Sequence, residues 1–418
     1  MTSNRRRTSQ PTDPSPDVLK ISGAAGPSYP YSLYRLLRER EPIHRTPSGV
    51  WVLTRYADIA GVLRDPRFGR EGFDRHFGSD TTSDGNGLSA RLETGGHRQS
   101  MLFRDPPHHT RLRDAVSRAF TPRAVEALRP RVQAHVDALL DRVAPTDGMD
   151  VVADLAEPLP RAVIGELLGI PEAHRPACAA WSTAVAQSLD ALPIPEDWPL
   201  VEKGQMARRA LGGYVRELVA SRRTKPEADL VSTLVEAADE DGLLSDSELV
   251  AMAVLLLVAG TETTVSLIAT AIWALLRHPD EPARLRAAPW LLPAAVEEAL
   301  RWESPVQRTW RIAKVDVDLA GQRIPAGALV VLLLGAANRD PARFADPDRF
   351  DIRRRDLGHV AFGAGVHVCL GAFLARLETQ VAVSSLLRRQ PTLQLASDHA
   401  VWRSTATLRG LATLPVTW

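Results

Sequence analysis

The sequence predicts a mainly α-helical fold with a small β region, on three observations. Apolar residues recur at helical rather than alternating spacing through most of the 418 residues. One helical pattern, from Ser245 to about Arg277, covers some 32 residues and, at about 1.5 Å each, makes a rod of roughly 48 Å that could cross the whole molecule. Strand-like runs are short and lie near Val50, between Val315 and Leu334, and in the last 28 residues, where Thr, Leu, Gly and Pro alternate.

In chain order, Pro30 to Arg40 reads as an amphipathic helix, Val50 to Thr54 as a strand, and the following residues as a helix ending at Asp65-Pro66. Residues 69 to 100 are rich in Gly, Ser, Asp and Thr with few apolar anchors, which makes them a candidate lid. Helical patterns return at His108, punctuated by Pro122, Pro130, Pro145, Pro158, Pro160 and Pro171. Residues 190 to 200 form a second irregular stretch. Ser245-Asp-Ser-Glu248 fits a capping box opening the long helix. A helix over Leu291 to Trp302 comes next, then strands about turns at Gly321 and Pro325-Ala-Gly327. The β region should therefore draw on both ends of the chain.

Composition sets limits. At 44% hydrophobic and 24% charged the chain has the make-up of a globular protein, which excludes a fibre or a disordered hub. Lys+Arg 51 against Asp+Glu 50 leaves +1, so no global field favours nucleic acid or an anionic membrane. Two cysteines, Cys178 and Cys369, are too few for a disulfide framework or a Cys-based zinc site and suit a reducing cytoplasm. The stretch Met1 to Asp17 carries Arg5, Arg6 and Arg7 without an apolar segment behind them. It reads as a flexible arm over 1–17, ahead of one domain over 18–418. The longest uninterrupted apolar run, Leu249 to Ala259, falls well short of the roughly 18 residues a membrane span needs; a soluble protein is expected.

Phe362-Gly-Ala-Gly-Val-His-Val-Cys369-Leu-Gly371 places glycines around one cysteine just ahead of a helical pattern, Leu370 to Arg388. Unpaired N–H groups at a helix start stabilise a thiolate, and glycines let the backbone turn toward the sulfur and a flat ligand lie against it. On the residues alone this is equally a packed structural cysteine beside a glycine turn. Cys178, in an Ala-rich segment, reads as a packed helix residue. Halfway along the long helix, Ala259-Gly260-Thr261-Glu262-Thr263-Thr264 interrupts good helix formers with a glycine, hydroxyls and an acid. Glu298 and Arg301 stand three apart on one helix face, and His109 and Arg113 four apart.

These motifs, in this order from about residue 30 to the C-terminus, resemble the cytochromes P450. The resemblance implies a P450 fold, a triangular helical prism holding haem b (iron protoporphyrin IX) between the long helix and the cysteine-loop helix. It makes Cys369 the thiolate ligand of the iron, within a cofactor-binding set that includes Phe362, Gly363 and Gly371. Ala259 and Gly260 then leave room for oxygen and substrate, Thr263 and Glu262 deliver protons during oxygen activation, and the helix widens locally at the hydroxyls. His109, Arg113, Arg311 and His367 become ligands of the haem propionates. Glu298, Arg301 and Arg349 become a structural ion-pair group that supports the cysteine loop.

The implied activity is a haem-thiolate monooxygenase that inserts one oxygen atom from O2 into an organic small molecule by hydroxylation or epoxidation. Tailoring of a secondary metabolite such as a polyketide, peptide or terpenoid is the expected employment. The chain has no βαβ unit carrying G-x-G-x-x-G, so electrons should come from a separate ferredoxin or flavodoxin with its NAD(P)H reductase. Docking contacts are expected at Arg111 and the Arg353-Arg-Arg355 run. Leu255, Leu256, Val306, Thr309, Trp310 and Thr405 are the expected substrate-pocket residues, and a monomer is expected. Two rivals remain: an oxidative coupling enzyme of the same family, and a haem-binding sensor that does not activate oxygen.

Overall fold

The computed structural model describes residues 30–72, 97–190, 198–239 and 242–418. The expected N-terminal arm, most of the candidate lid and most of the 190 to 200 stretch lie outside them.

Helices dominate the described residues, and one of them organises the rest. The central helix, Asp246–Arg277, spans 32 residues and opens on the expected capping box: Ser245 Oγ accepts the Glu248 N–H while the Glu248 carboxylate accepts the Ser245 N–H. Its apolar surface is long enough to cross a bilayer, although no uninterrupted run in the sequence is. That surface is instead covered by the Pro158–Leu167, Arg175–Gln187 and Trp198–Thr224 helices and by the Ala372–Arg389 helix behind the cysteine loop. From Ala251 to Leu275 every residue is buried except Leu255, Val258, Ala259, Gly260 and Thr263. Leu255, Ala259 and Thr263 are spaced at i, i+4 and i+8, so they line one face. An otherwise sealed helix thus carries one uncovered strip, centred on the Ala259 to Thr264 motif.

The helix does not widen there, contrary to expectation; it stays α-helical throughout. Thr263 Oγ1 donates to the Ala259 carbonyl at 2.9 Å, and Thr261 Oγ1 to Leu257 and Val258 at 3.2 and 3.1 Å. The hydroxyls share acceptors with the ladder rather than displacing it. A π-type turn occurs elsewhere, at Val152–Ala156.

Among the described residues twelve short strands make the β region: β1 Ile43–Arg45, β2 Trp51–Leu53, β3 Phe68–Gly69, β4 Gly148–Asp150, β5 Arg308–Ala313, β6 Val317–Leu319, β7 Gln322–Ile324, β8 Leu329–Leu333, β9 Gln394–Leu395, β10 Val401–Trp402, β11 Leu411–Thr413 and β12 Pro415–Thr417. The largest sheet runs β1-β2-β8-β5-β3, with β2 and β8 parallel and its other pairs antiparallel. It seats three N-terminal strands beside two from residues 308–333, and β12 pairs with β4 and β9. Both chain ends contribute, as expected. The β3–β5 pairing sets Gly69 opposite Ile312, which brings Arg70 and Arg311 together at one sheet edge.

Candidate active site

The cysteine loop is a glycine-built turn fixed on both sides. Cys369 N–H donates to the Phe362 carbonyl at 2.9 Å, and Val368 N–H to Gly365 at 3.1 Å. Gly363 and Gly365 adopt φ of 69° and 71°, the left-handed region that costs glycine least. A methyl at Gly365 would also collide with the carbonyl of Leu63, at the end of the Tyr56–Arg64 helix. Cys369 itself is exposed at the protein surface of this turn, yet crowded by loop atoms. That crowding prevails and holds its thiol above the ordinary value, although the Gly371 N–H and the charges of Arg113 and Arg376 pull it down. Gly371 leads directly into the Ala372–Arg389 helix, so the sulfur sits at a helix N-terminus. Cys178 is buried without such donors and pushed up to about 11, the state of an inert packed thiol.

Leu255, Ala259 and Thr263 lie on the uncovered strip, whereas Leu256 is buried in the main core and does not join it. One residue of helical rotation separates the two leucines and decides the matter. Gly260 packs tightly on Ile164. Glu262 turns away from the strip: Oε1 accepts from Thr183 Oγ1 at 2.6 Å, and Oε2 accepts from Arg403 Nη1 at 2.6 Å. Arg403 also reaches Glu157 at 2.9 Å. The Glu262 carboxylate is therefore a buried, fully partnered anion rather than a free neighbour of Thr263.

His109, His367, Arg311 and Asp105 gather near β3. The two imidazole rings stand 4.3 Å apart, and Asp105 Oδ1 lies 3.9 Å from His367 Nε2, too far for a hydrogen bond. Burial lowers His109, and lowers His367 to about 4, aided by the charges of Arg70 and Arg311. His109 Nδ1, His367 Nε2 and Arg70 Nε are buried with no hydrogen-bond partner among the described residues. Unsatisfied buried donors beside guanidiniums are a site short of anions, and two carboxylates of a haem fit that shortage. Arg113, the fourth expected propionate ligand, clips the cysteine loop: Nη1 donates to the Val368 carbonyl at 2.8 Å.

The ion pair of Glu298 and Arg301 is fully buried, with N–O distances of 2.7 and 2.8 Å. Its expected third member is wrong. The Arg349 side chain is 60% exposed and points to Asp351, and only its carbonyl accepts from Arg301. Arg354, 11% exposed, supplies the second guanidinium at 3.1 Å from Glu298. That removes Arg354 from the exposed docking run, and Arg353 pairs with Asp351. Arg111 is likewise engaged, by Glu248 and the Leu243 carbonyl.

Val306 bridges to Leu408, and Thr405 Oγ1 donates to the Leu408 carbonyl, so these two expected pocket residues share one edge. Trp310 packs 6.0 Å from Phe103 and under the Arg70 guanidinium, which donates to Thr309 Oγ1 at 2.9 Å. Asp190 ties the end of the Arg175–Gln187 segment to this edge by accepting from the Ala406 and Thr407 N–H groups. Sequence reasoning missed Arg70, Phe103, Thr183, Asp190 and Arg403, because each gains its role from a partner more than 70 positions away.

A mainly helical fold with a thiol at a glycine-rich helix start, an uncovered strip on a long helix and a cation cluster short of anions is that of a haem-thiolate protein. Comparison makes the assignment specific. The sequence model "Cytochrome P450" matches residues 184–288 and 290–415. The cytochrome P450 monooxygenase PikC of Streptomyces venezuelae is 46% identical, with 99% of this chain and 97% of that protein covered. The polyketide biosynthesis cytochrome P450 PksS of Bacillus subtilis is 37% identical, covering 93% and 95%. The crystal structure of myxobacterial CYP267B1 in complex with myristic acid superposes with a TM-score of 0.85 at 41% identity, covering 96% and 99%. The chain belongs to the cytochrome P450 family; it is an oxidoreductase of the monooxygenase class, and its cofactor is haem b.

Proposed function

We propose that this protein, as one catalytic domain over residues 18–418 in the cytoplasm, oxygenates a secondary metabolite, with a polyketide the favoured class. The observation that carries the reading is the pairing of a donor-ringed Cys369 with the open Leu255, Ala259 and Thr263 strip. The haem, when bound, activates O2 and supplies the oxygen atom that enters the substrate. Cys369 holds the iron by its sulfur, with the Gly371 N–H and the Arg113 and Arg376 charges favouring the thiolate. Phe362 and Gly363 shape the loop, and His109, His367 and Arg311 receive the propionates. Ala259 keeps the strip open, and the Thr263 hydroxyl is the proton-relaying group on it. Glu262 fixes the helix at that point through Thr183 and Arg403. Leu255, Val306, Thr309, Trp310 and Thr405 bound the substrate, an apolar wall with few polar groups. A ferredoxin or flavodoxin with its NAD(P)H reductase delivers electrons.

The polyketide biosynthesis cytochrome P450 PksS, at high mutual coverage, supports the polyketide class. A panel of polyketide lactones, cyclic peptides, terpenoids and fatty acids, titrated against the ferric protein and read by the Soret spin-state change, tests it. Tight high-spin shifts confined to the lactones are expected; a response confined to another class overturns the substrate assignment.

A further inference from the structure

We infer that Arg70 is an additional ligand of the cofactor's carboxylates, so that the segment just after β3 grips the haem directly. The inference rests on the reading that the haem's acid edge lies at the His109 and His367 cluster. Arg70 is 8% exposed, and its Nε is buried without a partner among the described residues. Nη2 donates to Thr309 Oγ1 at 2.9 Å, and the guanidinium lies 4.6 Å over the Trp310 ring. These contacts fix the side chain's direction without neutralising it. Among the described residues the one anion acting on it is Asp105, which accepts the Arg70 backbone N–H at 2.8 Å and is also approached by Lys314 and His367 at 3.9 Å. Gly69 makes this possible, since a Cβ there would strike the Asp105 carboxylate.

Arg311, buried on the paired strand, shares the predicament. Among the described residues its Nη1 donates to the neighbouring Trp310 carbonyl alone, and Asp105 is the one anion acting on it. Two buried guanidiniums thus bear on one carboxylate and repel each other. A buried charge left in that state is strongly unfavourable unless an anion arrives. Arg70 also acts electrostatically on both His109 and His367, whose free nitrogens complete the ring of donors. A dianionic haem edge meets all four groups at once, whereas a single substrate carboxylate would leave one guanidinium unmatched.

The test follows transfer of haem from the ferric holoenzyme to excess apomyoglobin by Soret absorbance, for the parent, R70Q, R70K and R311Q. Loss of one charge-assisted contact should speed release about tenfold in R70Q, with R311Q similar and R70K between them and the parent. Release from R70Q at the parental rate while R311Q is faster overturns the proposal alone. Parental rates in both variants overturn the placement of the acid edge itself. If R70Q fails to load haem, R70K decides: parental release contradicts the proposal and faster release supports it.

Discussion

Arg403 Nη1 lies 2.6 Å from Glu262 Oε2, joining the C-terminal β10 edge to the middle of the central helix. The adjacent Thr263 stays half-buried on the open strip, its hydroxyl returned to the Ala259 carbonyl. Two neighbours in one motif therefore serve different ends. The hydroxyl lies on the open strip, while the carboxylate braces the helix that presents it.

Thr263→Ala should keep the fold, because the hydroxyl bonds a carbonyl already served by the helix ladder. It should cut the fraction of electrons reaching product by about a hundredfold, the lower end for loss of a proton-transfer group, and release the balance as hydrogen peroxide. The ratio of product to peroxide per NAD(P)H checks this, and Thr263→Ser should restore most of it.

Arg403→Gln strands the Glu262 carboxylate with Thr183 alone, whereas Glu262→Gln leaves Arg403 its contact with Glu157. Removing one partner of a buried pair costs about 3–5 kcal/mol, and less when a second partner remains. Urea unfolding followed by circular dichroism should therefore show a larger loss for Arg403→Gln than for Glu262→Gln. Equal losses would contradict the bracing role.

Arg354→Ala should be severe and Arg349→Ala mild. The first removes a guanidinium from the wholly buried Glu298 together with its bonds to the Ala345 and Asp346 carbonyls. The second removes only an exposed contact to Asp351, worth about 0–1 kcal/mol. Haem content on purification and the unfolding midpoint measure the contrast.

Much of this was legible in the sequence, and the exceptions have a common cause. The capping box at Ser245 and Glu248, the Gly363 to Gly371 turn, and the Glu298 and Arg301 pair are all local patterns, so spacing alone reveals them. Leu256 was misplaced because a hydrophobic run hides which residue faces out, and burial separates Leu255 from it only in three dimensions. Arg349 and Arg354 lie five apart in an irregular meander, where no periodicity tells which side chain turns inward. Arg70 could be found only through β3–β5 pairing, a contact across some 240 residues.

Glu297 links the helix Leu292–Trp302 to the cysteine-loop helix by accepting from Arg376 at 2.6 and 2.8 Å, and His359 lies 3.2 Å away. Burial raises its carboxyl, but Arg376 and His359 outweigh that and hold it at about 2, below its ordinary 4.5. A depressed carboxylate stabilises the fold above its unfolded value and loses that contribution as pH falls toward the folded one. The stability gap between the parent and Glu297→Gln should be full above about pH 5 and close progressively toward pH 2, as read by chemical unfolding at successive pH values.

Gly365→Ala meets both the left-handed backbone and the Leu63 carbonyl, so the cysteine loop must shift. Haem content should fall sharply, while Gly321→Ala, whose added methyl meets open space in a turn at a similar φ of 83°, should load haem as the parent does.

The most direct measurement is the spectrum of the reduced protein under carbon monoxide, for the parent and Cys369→Ala. Thiolate ligation by this cysteine predicts a Soret band displaced far to the red in the parent and absent from the variant. A band at the position of imidazole-ligated haem in the parent, or a red-shifted band surviving in Cys369→Ala, would contradict it.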